Sequence, residues 1–406
     1  MKTIAGGIAL LALAVLIGCK DPQADDPCAA NAVVATQSDW DTFRGCAAIG
    51  GDLTIRSPGV TSLDGEAAIA VVHGNLLVVG NTALESLHLP LLTAVDGNLI
   101  VGDTGSRRTT TWISLPKLER VGGLVMANAE AEDGLLLEVN ALTSVGGDLI
   151  LENFNIGVGM PSLASVGGSL HFRGCSYVGL GPLHLGGDVE FVGNELGGGS
   201  LSGALSGVDG ALIVHDAAVD LADLEQVHEM RIDGAAGGVY LPKLRRADLF
   251  MVSKTDLYAL ALPSLSDTCL HATHNVHLHT LELPALVNQP RCELDERIGF
   301  GTGDDESSGG SGLTITDAPA LASLALPALI STEPDALGRG IEIAGTGLDL
   351  LSLPAFDSGV VWVHGNPALR EIDTPALGCQ WLVAEDDAML SVVRCATSLL
   401  RPEALR

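Results

Sequence analysis

The sequence predicts an all-β chain wound into a parallel β-solenoid of about 15–16 coils, with a short cap at each end. Three observations predict it. The first is a unit seen clearly in residues 74–92: a Gly-x step, a strand Leu76-Leu77-Val78, a Gly80-Asn81 turn, and a second strand Leu87-His88-Leu89 that stops at Pro90. The residue after Gly-x recurs as Leu53, Leu76, Leu99, Leu124, Leu149, Leu170, Val189, Leu212, Met230, Leu249, Leu270, Leu313, Ile341, Val360 and Trp381, at intervals of 18–28 with one of 43. The second is a Leu-Pro mark in the same register: Pro242, Pro263 and Pro284 are spaced by 21, and Pro284 to Pro327 is again 43. The third is strict alternation within the strands, as in Leu53-Thr54-Ile55, Leu149-Ile150-Leu151, Val189-Glu190-Phe191 and Ile341-Glu342-Ile343. The outer residues of each triplet face a core and the middle one faces water. No single unit buries its apolar face, so the units must stack. The gap of 43 reads as two periods, with a degenerate or interrupted coil at residues 291–312.

Residues 1–18 stand outside that fold. Lys2 precedes an apolar run over residues 4–17, too short to span a bilayer and suited to a signal-peptide core. The run ends in Leu16-Ile17-Gly18-Cys19, which resembles the bacterial lipobox; the resemblance implies lipidation of Cys19 and a membrane partner through the acyl chains. Lys20, rather than Asp, follows the cysteine, so by the same resemblance the expected location is the outer membrane of a bacterial cell envelope, with exposure at the surface as the further expectation. Residues 19–27 are a polar, proline-flanked tether.

Residues 28–47 form the N-terminal cap. A short helix is expected around Ser38 to Phe43, with Ser38 or Asp39 as its cap and with Trp40 and Phe43 covering the open end of the first coil. The solenoid occupies residues 48–378, and residues 379–406 hold the last strand and a C-terminal cap with a short helix. Apart from Cys19 there are seven cysteines, whose spacing pairs Cys28 with Cys46, Cys269 with Cys292 and Cys379 with Cys395, leaving Cys175 as an inert thiol. Two insertions lengthen coils: residues 103–111, and the acidic loop over 301–312.

Around Cys46-Ala47-Ala48-Ile49-Gly50-Gly51-Asp52-Leu53-Thr54-Ile55 the chain resembles the receptor L-domain family, whose cap closes on a cysteine followed by a similar strand. Later coils, such as Gly365-Asn366-Pro367-Ala368-Leu369, continue the likeness, which spans roughly residues 46–385. It implies a right-handed parallel β-helix related to leucine-rich repeats, and it carries no catalytic site. The leucine-rich helix and fixed asparagine are not evident.

Composition narrows the function. With 50 acidic against 21 basic residues and a net charge of −29, nucleic-acid binding is disfavoured, because phosphate neutralisation needs Lys and Arg. No nucleophile elbow, phosphate loop or zinc-protease helix occurs, and no cofactor is expected. Two constellations remain. His277 and His279 flank Leu278 and, one coil apart, face Asp256 and Tyr258, so His277, His279 and Asp256 are a candidate metal set; the alternative is a water-facing strand that accepts any polar residue. Leu77, Ile100, Val125 and Ile150 are read as consecutive outward residues, an apolar strip for a protein or glycan partner. The expected role is therefore non-catalytic recognition, adhesion or structural support at the envelope. The alternative is a carbohydrate-processing β-helix enzyme, which the sparse aromatics and absent charged cluster disfavour.

Overall fold

Each early coil turns through three short strands on three faces. The coil carrying Leu76–Asn81 on the first face continues through Ser86–His88 on the second and Ala94–Val95 on the third before re-entering the first at Leu99–Thr104. The computed structural model describes residues 26–400, apart from 64–66, 105–110, 129–134, 155–156, 194–197, 235–236, 290–311, 334–339 and 397. Strands on the first face form one long sheet, and the ladders among the described residues are parallel up to a single antiparallel pair at the C-terminal end. In the middle of the stack, from Tyr177–Leu185 to Asp267–Thr273, several strands run round the corners, and Gly199–His215 covers all three faces in one strand. The result is a β-solenoid of about 15 turns.

The inward residues stack into one continuous aliphatic core, with Phe172 and Phe191 on neighbouring rungs at 6.4 Å between ring centroids. Three devices hold the corners. The x of the Gly-x step is usually Asn or Asp, and its Oδ1 accepts the backbone N–H of the matching residue one coil later. Asp52, Asn75, Asn98, Asp148 and Asp188 all do so at 2.7–2.8 Å, and Asn31, which follows Ala30, accepts the same bond from Asp52 N–H. The glycine is required by the same contact: a Cβ on Gly123 would stand 2.1 Å from Asn98 Oδ1.

In eleven of the first-face strands the chain turns through the left-handed region four residues after the inward residue that opens the strand. Glycine takes this position at Gly80, Gly174, Gly234, Gly345 and Gly365, and Asn153, Asp216, Lys254, His274, Asp317 and Asp386 occupy it elsewhere with φ of 51–63°. A buried asparagine closes three coils. Asn81, Asn275 and Asn366 each accept a backbone N–H from the preceding coil and donate Nδ2 to one of its carbonyls. A fixed asparagine, not evident in the sequence, is thus present in part of the stack.

Hydrogen-bond register corrects the repeat list at four places. The core positions are Val125, Phe250, Val361 and Leu382 rather than Leu124, Leu249, Val360 and Trp381. In each pair two large apolar residues are adjacent, so alternation alone does not set the parity. The 43-residue interval is one coil, not two: Leu270 pairs directly with Leu313, and Leu281 with Leu324. Its extra length falls in residues 290–311, outside the described residues, as does the acidic loop apart from Gly312.

At the N-terminus, Gln37–Phe43 is the expected helix, but Thr36 is its cap. The Thr36 side chain accepts from Asp39 N–H while Asp39 returns a bond to the Thr36 N–H. Trp40 is fully buried over the first coil. The Cys28–Cys46 and Cys379–Cys395 disulfides tie the two ends. Cys269 is also disulfide-bonded; Cys292 lies outside the described residues. The expected C-terminal helix is instead a strand at Ser398–Leu400, antiparallel to Val392–Cys395. Cys19, the signal segment and most of the tether lie outside the described residues.

Candidate interaction face

Strand alternation on the first face turns every second side chain out of the coil. In register, the outward residues are Thr54, Leu77, Ile100, Met126, Ile150, His171 and Glu190. Leu77, Ile100 and Ile150 therefore lie where the sequence places them. Val125 does not: it is buried in the core, because the adjacent Leu124-Val125 pair hides the parity, and Met126 takes its place in the strip. Four half-buried apolar side chains on consecutive rungs, about 4.8 Å apart, make a strip roughly 15 Å long.

Beside the strip runs a shallow groove of about 420 Å³, lined by Arg56, Val79, Ile100, Gly102, Met126 and Asn128 among others. Gly102 leaves its floor bare, since a Cβ there would meet nothing within 4 Å. Arg56 is the cation at one edge; Asn128 sits at the other, donating to Glu152 at 2.9 Å. The strip ends at a charged cluster. Glu190 accepts from Arg173 at 2.9 Å and pairs with His171 at 3.1 Å. Burial raises the Glu190 carboxyl, but the Arg173 and His171 hydrogen bonds and charges outweigh it and hold the group below its ordinary value.

The His277 group is assembled only in part. His277 and Asp256 approach to 3.8 Å on neighbouring coils, while the His279 ring stacks on Tyr258 at 4.3 Å and its Nδ1 bonds the His277 carbonyl at 2.8 Å. Among the described residues no three His, Cys, Asp or Glu side chains converge as a metal group. The pair belongs to a wider pattern that the sequence did not reveal. His73–Asp96, His171–Glu190, His184–Asp209, His215–Asp233, His228–Asp248, His274–Asp317, His277–Asp256 and His364–Glu342 all bridge adjacent rungs at 2.8–3.8 Å. The partners are 18–43 residues apart in sequence, so only the stacking register brings them together. His271, an outward residue, is buried instead, and burial lowers its pKa to about 4, so it is neutral at pH 7. Cys175 is a buried free thiol whose pKa burial raises to about 11.

These features define the class: a capped parallel β-solenoid whose first face carries an apolar strip. No protein-family model, curated protein or solved structure matches the chain. The repeat architecture therefore rests on the observed ladders, and the receptor L-domain likeness remains a resemblance of pattern.

Proposed function

We propose that the chain is a non-catalytic, lipid-anchored protein of the bacterial cell envelope that recognises a partner through its first face. The observation that carries this reading is the strip Leu77–Ile100–Met126–Ile150 with its adjoining groove. An apolar row on the wet side of a sheet costs solubility unless something covers it. In a chain of net charge −29, a row of four rungs with no ionisable side chain is also a place where a partner approaches without meeting the acidic field. The strip supplies apolar area and shape; neither it nor its lining residues present a nucleophile or an acid–base pair, which favours binding over turnover.

The anchor is proposed to be the lipidated Cys19, followed by Lys20, at the outer membrane. Two variants separate the parts of the reading. Cys19→Ala is expected to move the chain from the membrane fraction to the soluble fraction of cells. Ile100→Lys/Met126→Lys is expected to leave the chain in the membrane with an unchanged β-sheet spectrum. It should also abolish crosslinks formed by a photoreactive residue at position 77. Crosslinks that survive the double substitution would remove the strip from the account.

A further inference from the structure

We infer that the second face holds a separate binding site for a neutral saccharide, built between Trp112 and Tyr177. The strand Thr111–Ser114 buries Ile113, so Trp112 faces out and is 48% exposed. Leu136, its registered neighbour on the next rung, is 36% exposed. The strand after that, Val158–Met160, packs beside Leu135–Glu138 and buries Val158 and Met160, leaving Gly159 outward. A Cβ on Gly159 would meet nothing within 4 Å, so the sheet is bare at that point.

One rung further, Gly179 is in register with Gly159, and Tyr177 lays its ring over it. The phenol oxygen stands 2.8 Å from where a Cβ on Gly179 would be, so any larger residue there would displace the ring. Ser202, in register with Gly179, donates to the Tyr177 oxygen at 3.0 Å and fixes the ring, which is itself 45% exposed. The outcome is a bare glycine floor between an indole–leucine wall and a pinned phenol, on rungs about 4.8 Å apart.

The chemistry of this band selects the ligand. None of Trp112, Leu136, Gly159, Tyr177, Gly179 and Ser202 is charged at neutral pH. A polycation finds no partner among them, and the surrounding net charge of −29 repels a polyanion. Aromatic ring faces carry negative charge density that attracts the C–H faces of a pyranose, while the Tyr177 and Ser202 hydroxyls serve its hydroxyl groups. Two residues further along these strands the buried Ser114 donates to Glu138 at 2.7 Å, and the half-buried Glu138 carboxylate adds acceptor oxygens at the rim. A glycine gap flanked by rings and hydroxyls suits a ring-shaped polyol, which offers C–H faces and hydroxyl groups together, better than an apolar peptide side chain, which leaves the hydroxyls without a partner. None of its residues belongs to the Leu77–Ile150 strip, which lies on the first face of the coil, so the two readings stand or fall separately.

The test is titration of the purified chain with neutral β-1,4-linked hexasaccharides of glucose and of N-acetylglucosamine, followed by calorimetry and tryptophan fluorescence. One of these probes is expected to bind and to perturb Trp112. Gly159→Leu, which fills open space on backbone outside the left-handed region, and Trp112→Ala should each weaken binding about tenfold or more. Trp381→Ala, which removes an exposed indole elsewhere, and Ile100→Lys/Met126→Lys should leave it unchanged. Neither probe binding at about 10 mM, binding unaffected by Gly159→Leu and Trp112→Ala, or stronger binding of a sulfated polysaccharide or an apolar peptide would each overturn the proposal.

Discussion

Replacement of Asn366 by leucine removes one side chain and orphans several buried groups at once. Asn366 Oδ1 accepts from Thr346 N–H at 2.9 Å and from the Thr346 hydroxyl at 2.7 Å, and Nδ2 donates to the Ile343 carbonyl at 3.1 Å. Thr346 and Asn366 are both essentially inaccessible to water, so these groups have no alternative partner after the change. Each unsatisfied buried group costs about 1–3 kcal/mol, and burying the leucine side chain returns about 1.5–3 kcal/mol. A net loss of about 3 kcal/mol is therefore expected. Asn366→Asp keeps the acceptor and loses the donor, and it places a second carboxylate against Asp387, which already lies 2.7 Å from the Asn366 N–H and whose pKa is raised by burial. That variant should be more strongly destabilised at pH 7 than at pH 4. Because a solenoid unfolds in segments, the readout is hydrogen exchange of Ile341–Ala344, Val361–His364 and Leu382–Glu385 alongside urea denaturation. A loss below about 1 kcal/mol, or one spread evenly along the chain, would refute the reasoning that this asparagine locks its own corner.

Four further outcomes are expected. Lys254 turns through the left-handed region at φ 51°, so Lys254→Gly should raise the local unfolding free energy by about 0.5–1 kcal/mol in the same exchange experiment. Gly234→Ala at the equivalent position should lower it, because its Cβ would fall 2.2 Å from Asp216 Oδ1. Asp96, Glu190, Asp233 and Asp248 have pKa values held below the ordinary 3.8 or 4.5 by their histidine and other polar partners. Their contribution is fully present above those values and is lost as pH falls through the depressed folded-state values. Acid unfolding followed by circular dichroism should therefore begin at higher pH in Asp96→Asn/Asp248→Asn than in the parent chain. Cys175 should resist alkylation in the native chain at pH 8 and react fully in urea, since its thiol is buried with a pKa of about 11.

Much of the fold was legible because the repeat writes itself into spacing. Gly-x-Leu and Leu-Pro keep one register, and alternating triplets distinguish inside from outside wherever a polar residue separates two apolar ones. Legibility failed where that contrast vanished. Leu124-Val125 and Leu249-Phe250 are adjacent apolar pairs, and only hydrogen bonding to the neighbouring rung decides which member is inside. The third strand of each early coil leaves no alternation in the sequence because Ala94–Val95 or Ser144–Val145 is too short to alternate, although a valine before the Gly-containing step recurs at Val72, Val95, Val121, Val145 and Val166. The Asn/Asp preference after glycine was equally visible, yet it gains meaning only once each Oδ1 is seen to accept from the coil above.

The apolar strip was readable in three of its four members for the same reason as the fold. The groove beside it was not, because Arg56, Gly102 and Asn128 come from separate coils and converge only through stacking. The histidine–carboxylate bridges and the Trp112–Tyr177 band share that property. A solenoid brings together residues one period apart, and variable coil lengths hide that offset except where neighbouring coils keep the same spacing, as Asp256–His277 and Tyr258–His279 do.

Oxidative footprinting of two native methionines would separate a covered first face from a bare one. Met126 sits in the strip and Met389, 51% exposed, lies near the other end of the solenoid. Both should be oxidised in the purified chain, whereas on intact envelopes Met126 should be protected and Met389 should not. Equal oxidation of Met126 in the two settings would contradict the claim that the first face engages a partner.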